Sequence, residues 1–177
     1  MKIQILLILT MAVAICAAQT SLSENTPDAA ATKKLGVFVG KWKSEGSFAE
    51  TPYSKANRVT SDIDCRWSAL EDFLLCEQRI TEPSGQHIQL SIFSYNSEKG
   101  NYTISSMAGP GKQPWNGTVV IEGTLWTYPG NKEDKVWFRT TNDFSVPGTE
   151  VFKTEFSSDG GEHWTTMLQG TARKISK

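Results

Sequence analysis

The sequence contains few residues that could carry chemistry. Its 177 residues include two histidines and three cysteines, and its 18 Lys and Arg nearly balance its 19 Asp and Glu. A near-neutral chain lacks the basic surface that nucleic-acid binding requires. Two histidines without cysteines or carboxylates at ligand spacing do not make a zinc site. We therefore expect no nucleic-acid partner, no metal centre and no cofactor.

Motifs of the common enzyme classes are also missing. No G-x-S-x-G nucleophile elbow occurs in the chain. The stretch Gly109-Pro110-Gly111-Lys112 lacks the spacing, the Ser or Thr and the following helix of a phosphate loop. No residue is assigned a catalytic role on this basis, and the sequence favours a binding protein over an enzyme.

The N-terminus has the pattern of a signal peptide. An apolar run from Ile3 to Ile15 follows Lys2 and ends before the small residues Ala17 and Ala18. We expect residues 1–18 to be removed and the chain to be secreted or periplasmic, with lipidation of Cys16 as the alternative. The run is shorter than the roughly 20 residues of a membrane-spanning helix, and no later segment approaches that length.

The sequence after the signal peptide predicts one short helix followed by strands. Residues 19–34 form a polar leader and a helix that begins near Pro27 and ends near Lys34, because Gly36 and two valines disfavour its extension. Turn signals at intervals of roughly 8 to 12 residues then predict about ten strands. These strands are placed near Lys41–Ala49, Lys55–Trp67, Asp72–Thr81, Gln86–Tyr95, Asn101–Ala108, Thr118–Glu122, Leu125–Tyr128, Lys135–Thr141, Thr149–Phe156 and Glu162–Arg173.

Short turns rich in glycine join these strands, which favours antiparallel neighbours. The predicted turns include Ser97 to Gly100, Glu122-Gly123, Pro129-Gly130-Asn131 and Asp159-Gly160-Gly161. We therefore predict an all-β fold over residues 35–177, a single antiparallel up-and-down β-barrel of about ten strands preceded by the short helix.

Cys65 and Cys76 fix the register of one predicted hairpin. If the two cysteines lie opposite each other, one face of the hairpin is mostly apolar. The paired residues on that face are then Trp67 with Leu74, Ile63 with Gln78, and Ser61 with Ile80. In an oxidising compartment the pair is expected to form a disulfide, with two buried free thiols as the alternative.

Alternation along the strands predicts which side chains face the barrel interior. The predicted inward residues are Val59, Ile63, Trp67, Leu74, Ile80, Ile88, Leu90, Ile92, Val136, Phe138, Phe152 and Phe156, with Gln78, Thr140 and Thr154 as polar exceptions. Small barrels either fill with side chains or hold one ligand. The candidate ligand-binding residues are Trp67, Gln78, Phe138, Thr140, Phe152 and Thr154.

Several motifs resemble known families. Gly40-Lys41-Trp42 at the first strand is similar to the G-x-W of lipocalins, which implies that Trp42 closes one barrel end beneath Arg173 in a cation–π contact. With the cysteine hairpin, Tyr95-Asn96 and the segment around Ser158 to Trp164, the chain resembles small exported bacterial proteins of unknown function that carry a lipocalin-like barrel domain. That family implies no activity.

Two further resemblances concern local segments. Ser157 to Trp164 resembles a single Asp-box, with His163 at its Thr position, and we interpret it as a hairpin in which Asp159 accepts backbone N–H bonds. Barrels that resemble nitrobindins bind haem through a rim histidine, which makes His87 and His163 the candidate axial ligands.

Three hypotheses about function follow from the sequence. The leading one is a barrel that binds a small hydrophobic or amphipathic molecule in its lumen. The second is a protein-interaction or inhibitor module with a filled core and exposed aromatics such as Trp115 and Trp126. The third is a haem-binding or catalytic barrel of nitrobindin type.

Overall fold

The fold is a closed antiparallel barrel with a short helix before it. The computed structural model describes residues 27–109, 112–133 and 136–176, so the expected signal peptide and the start of the leader lie outside the described residues. Helix α1 spans Pro27–Lys34, and a 3₁₀ segment, here called the plug, spans Leu35–Phe38. The strands are β1 Gly40–Phe48, β2 Asn57–Trp67, β3 Phe73–Glu82, β4 Gly85–Asn96, β5 Asn101–Met107, β6 Trp115–Glu122, β7 Leu125–Glu133, β8 Val136–Asp143, β9 Thr149–Ser157 and β10 Thr165–Ser176.

Each strand pairs with its neighbours in the chain, and β1 pairs with β10 to close the barrel. All ten predicted strands are present, with boundaries that differ by a few residues, so the predicted fold class is confirmed. A closed sheet leaves no edge strand exposed for pairing with another chain. No helix in the described part of the chain has the length and hydropathy needed to cross a membrane.

The predicted register of the cysteine hairpin is confirmed. Strands β2 and β3 place Cys65 opposite Cys76, and the two sulfur atoms are bonded. The neighbouring pairs on the same face are Trp67 with Leu74, Ile63 with Gln78, and Ser61 with Ile80. The disulfide therefore joins adjacent strands at a point where both cysteines are almost fully buried.

The plug closes one end of the barrel. Leu35 has no solvent-exposed surface, and Phe38 is 7% exposed. The Phe38 ring lies 4.9 Å from Trp126 and 4.8 Å from Phe144, both in edge-to-face geometry. Such aromatic pairs are favourable beyond the area they bury. This end, called the closed end below, is thus filled by aromatic side chains from the plug and several strands.

The prediction for the inward face of β4 is wrong. Ile88, Leu90 and Ile92 lie on the outer surface, where Ile88 is 47% exposed, and the intervening residues face the lumen. The cause is the two-residue turn that pairs Glu82 with Gly85, because it sets the register of the whole hairpin. This register places Gln89 opposite Gln78, and partners across a ladder share a face.

The predicted turn at Pro129-Gly130-Asn131 is also wrong, because β7 continues through it to Glu133. The pairing of β7 with β8 shifts register between Pro129 and Lys132. A strand tolerates proline at such an irregularity, since the ladder hydrogen bond is already interrupted there.

Candidate functional site

A cavity of about 400 Å³ lies inside the barrel, on the lumen side of the closed end. Its floor is formed by Phe38 of the plug and by Trp42, and each of the ten strands contributes at least one residue to its lining. This volume is in the range of pockets that hold one small organic molecule, about 300 to 1,000 Å³.

Four of the six predicted ligand-binding residues line this cavity, namely Gln78, Thr140, Phe152 and Thr154. The other two lie elsewhere along the same barrel axis. Trp67 packs beside Gly36 of the plug at the closed end. Phe138 lies near the opposite end, where its ring is 5.6 Å from that of Tyr53 in the loop between β1 and β2.

Small polar side chains cover much of the lumen wall. One hydrogen-bonded group lies on one side, where Ser44 bonds Ser61 at 2.5 Å and the amide of Gln78 donates to Ser61 at 2.9 Å. On the other side Thr140 and Thr154 bond each other at 3.0 Å. These side chains are hydrogen-bond partners of one another across adjacent strands. They are therefore satisfied even when the lumen holds no ligand, and their burial costs little free energy.

A second polar group lies deeper and is less well satisfied. The amide nitrogen of Asn142 donates to the Tyr128 hydroxyl at 3.4 Å, and its buried amide oxygen has no hydrogen-bond partner. Glu150 lines the cavity beside them and is 7% exposed. Burial raises the pKa of Glu150 to about 7. Burial and the Glu150 charge together raise the pKa of Tyr128 well above its usual value.

Sequence reasoning did not find Glu150, although the signal was present. The residue lies two positions before Phe152 and four before Thr154 in β9, so alternation alone places it on the same inward face. Isolated carboxylates are seldom buried, which disfavours an inward position for a glutamate.

Glycines make room for two aromatic rings inside the barrel. Gly46 and Gly170 lie opposite each other on β1 and β10, and the Phe152 ring lies against both of them. A Cβ atom at Gly170 would overlap this ring and the backbone of β1. In the same way the Trp115 indole lies over Gly117 on β6 and lines the cavity.

Trp42 lies at the closed end, with its ring nitrogen donating to the carbonyl oxygen of Phe38 at 2.7 Å. The cation over its indole is Lys174, whose Nζ is 5.2 Å from the ring centroid, and the assignment of Arg173 was wrong. Trp42 is opposite Lys174 in the β1–β10 register, whereas Arg173 is opposite Lys43 on the outer face and is exposed.

The segment that resembles an Asp-box forms the hairpin between β9 and β10. Asp159 accepts hydrogen bonds from the backbone N–H groups of Glu162 and His163 and from the Ser157 hydroxyl. The backbone N–H of His163, the Ser157 hydroxyl and the His163 ring, in that order, lower the pKa of Asp159. The predicted hairpin with Asp159 as backbone acceptor is therefore confirmed.

Neither histidine lines the cavity. His163 is exposed and lies 2.7 Å from Asp159, and His87 is exposed near the end of β4. The two tryptophans assigned to an exposed interaction surface are also placed differently. Trp126 is 3% exposed within the closed end, and Trp115 lines the cavity. The expectation that they form a surface was wrong.

Comparison with known proteins shows the fold. No family model matches the sequence, and no curated protein matches it. The structure is similar to that of Rv2717c from M. tuberculosis, with a TM-score of 0.57 and 12% identity over 81% of this chain and 96% of that one. It is also similar to the S-type phycobiliprotein lyase CPES from Guillardia theta, with a TM-score of 0.59 and 13% identity over 83% of this chain and 93% of that one. At 12% and 13% identity these likenesses show a shared barrel fold.

Proposed function

We propose that this protein is an exported barrel that holds one small amphipathic molecule in its lumen. The observation that carries the proposal is the cavity of about 400 Å³, which has aromatic and aliphatic walls and a polar group of Tyr128, Asn142 and Glu150 at one side. Apolar walls with a few placed polar groups are typical of sites for small organic ligands.

The arrangement of the two barrel ends supports this proposal. The plug fills the closed end, so a ligand would enter from the opposite end, where the loops after β1, β3 and β9 lie. The similarity in fold to a phycobiliprotein lyase is compatible with a role of this barrel in binding a small molecule.

Export is part of the same proposal. We divide the chain into a signal peptide over residues 1–18, a leader and helix over residues 19–34, and a barrel domain over residues 35–177. The disulfide between Cys65 and Cys76 supports a secreted or periplasmic location, because such bonds persist in oxidising compartments.

A binding titration with a lumen-filling variant tests the proposal. The full chain is expressed in a secreting host, and its intact mass reports whether the mature protein begins at Gln19. The uncharged dye N-phenyl-1-naphthylamine is then titrated into the purified protein. We expect Ser91→Phe, which adds a ring to the cavity wall, to weaken dye binding by at least about tenfold.

Thr118→Phe is the matched control, because it adds the same ring at an exposed position on β6. We expect this variant to bind the dye as the unmodified protein does. Lumen binding is refuted if the dye does not bind, or if Ser91→Phe and Thr118→Phe bind it equally well.

A further inference from the structure

Glu150 is a buried carboxyl group that faces the cavity without a partner. The residue is 7% exposed, and none of the described residues forms a hydrogen bond or an ion pair with its carboxyl oxygens. Among the described residues that line the cavity there is no Lys, Arg or His. A buried carboxylate normally requires a counter-charge and hydrogen-bond donors. The barrel itself supplies neither of them at Glu150.

The neighbouring polar atoms also require donors. The amide oxygen of Asn142 is buried without a hydrogen-bond partner, while its nitrogen is already used by the Tyr128 hydroxyl. Asn142 and Glu150 both line the cavity, so this side combines a carboxyl group with an amide whose oxygen has no donor. Groups left unsatisfied in a protein interior are costly, and a ligand that satisfies them gains that energy on binding.

Aromatic rings line the same cavity, and the Phe93 ring lies 6.3 Å from the ring of Tyr128, the hydrogen-bond partner of Asn142. The rings of Phe38, Trp42, Phe93 and Tyr128 all line it. Aromatic faces attract cations through the ring quadrupole, and this attraction is stronger where water is excluded. Rings, a carboxyl group and an unused amide oxygen are therefore combined in a cavity whose described lining holds no cationic side chain.

From this combination we propose that the lumen binds an amphipathic amine, with its ammonium group at Glu150 and Asn142 and its apolar part in the rest of the cavity. This inference rests on the proposed function of lumen binding. An ammonium group supplies the missing positive charge and several N–H donors. An alcohol supplies one donor and no charge, and a carboxylate would place a second negative charge beside Glu150.

Three ligands with the same chain length separate these classes. Octylamine, octan-1-ol and octanoate are used at pH 8 to displace N-phenyl-1-naphthylamine from the full-length protein. At this pH an alkylamine is protonated, as a lysine side chain is. We expect octylamine to bind at least about tenfold more tightly than octan-1-ol, and octanoate to bind least tightly.

Glu150→Gln keeps the shape of the side chain and removes its charge. We expect this variant to lose the preference for octylamine over octan-1-ol, while its affinity for octan-1-ol changes by less than about threefold. Glu122→Gln is the matched control, because it removes an exposed carboxylate outside the cavity lining. This control should keep the preference for the amine.

The outcomes distinguish the two proposals. If the dye binds but the three ligands compete equally, or octanoate is preferred, the amine inference is wrong and lumen binding stands. The same conclusion follows if the preference for octylamine survives in Glu150→Gln. If neither the dye nor any of the three ligands binds, lumen binding fails and the amine inference fails with it.

Discussion

The closed end and the lumen are built from the same ten strands, yet only the closed end is filled. At the closed end, Phe38, Trp126 and Phe144 contact one another at ring distances of 4.8 to 5.8 Å. In the lumen several inward positions carry serine, threonine or glutamine between the apolar side chains, and a cavity of about 400 Å³ remains. The filled end also receives the plug, a segment from outside the sheet.

This difference shows that alternation defines an interior without determining whether it is packed. Leu35 and Phe38 of the plug enter the closed end and complete its packing. Among the described residues no further segment from outside the sheet enters the lumen, where short polar side chains bond each other across the strands. An interior surface whose polar groups are already satisfied can remain beside an unfilled space at moderate cost.

The same substitution in both regions should give the largest contrast. Phe38→Ala removes a ring packed on several sides, and we expect it to lower the free energy of unfolding by about 3 to 5 kcal/mol. Phe152→Ala removes a ring that borders the cavity, and we expect a loss of only about 1 to 2 kcal/mol. Urea unfolding measures both losses. Equal losses would contradict a packed end beside a hollow lumen.

Glu150 should make the lumen sensitive to pH in a way that the closed end is not. Burial raises its pKa from 4.5 to about 7 in the folded protein. Between these values the unfolded chain is ionised at this position and the folded protein is not, so stability falls as the pH rises. Above about pH 7 Glu150 is ionised in both states. The free energy of unfolding then remains lower by about 3 kcal/mol, since each pKa unit corresponds to about 1.4 kcal/mol.

Glu150→Gln removes this penalty. We expect the variant, freed of ligand, to be more stable than the unmodified protein by about 3 kcal/mol at pH 8 and nearly equal to it at pH 4. The groups that face Glu150 do not titrate in this window, since Asn142 is neutral and Tyr128 has a raised pKa. Thermal unfolding of both proteins at both pH values measures the effect, with Glu122→Gln as the control. A constant difference between pH 4 and pH 8 would show that Glu150 ionises normally.

The smallest expected effect on stability concerns the contact between Lys174 and Trp42 at the closed end. Lys174→Gln removes the cation over Trp42, and we expect a loss of about 0.5 to 1 kcal/mol in urea unfolding. Arg173→Gln should change stability by less, because Arg173 is exposed and lies on the opposite face of β10. If Arg173→Gln is the more destabilising variant, the assignment of Lys174 is wrong.

Local sequence patterns predicted the strands and the cysteine register. They failed where a turn or a pairing between distant strands determines which side chains face the barrel interior. The alternation in β4 fits either face, and the two-residue turn before Gly85 selected the one with Gln89 and Ser91 inside. Lys174 instead of Arg173 faces Trp42 because of the pairing between β1 and β10, which are far apart in the chain. Alternation places Glu150 on the inward face with Phe152, but its burial without a counter-charge depends on closure of the barrel.

The sequence by itself determined that the chain forms antiparallel strands with glycine turns and that Cys65 lies opposite Cys76, because these features depend on neighbouring residues. Only the tertiary structure decided that a cavity remains and that Glu150 faces it. Closure of β1 on β10 and insertion of the plug set the volume and the dielectric environment at each inward position. Both depend on contacts between residues that are distant in the chain, which alternation along one strand does not report.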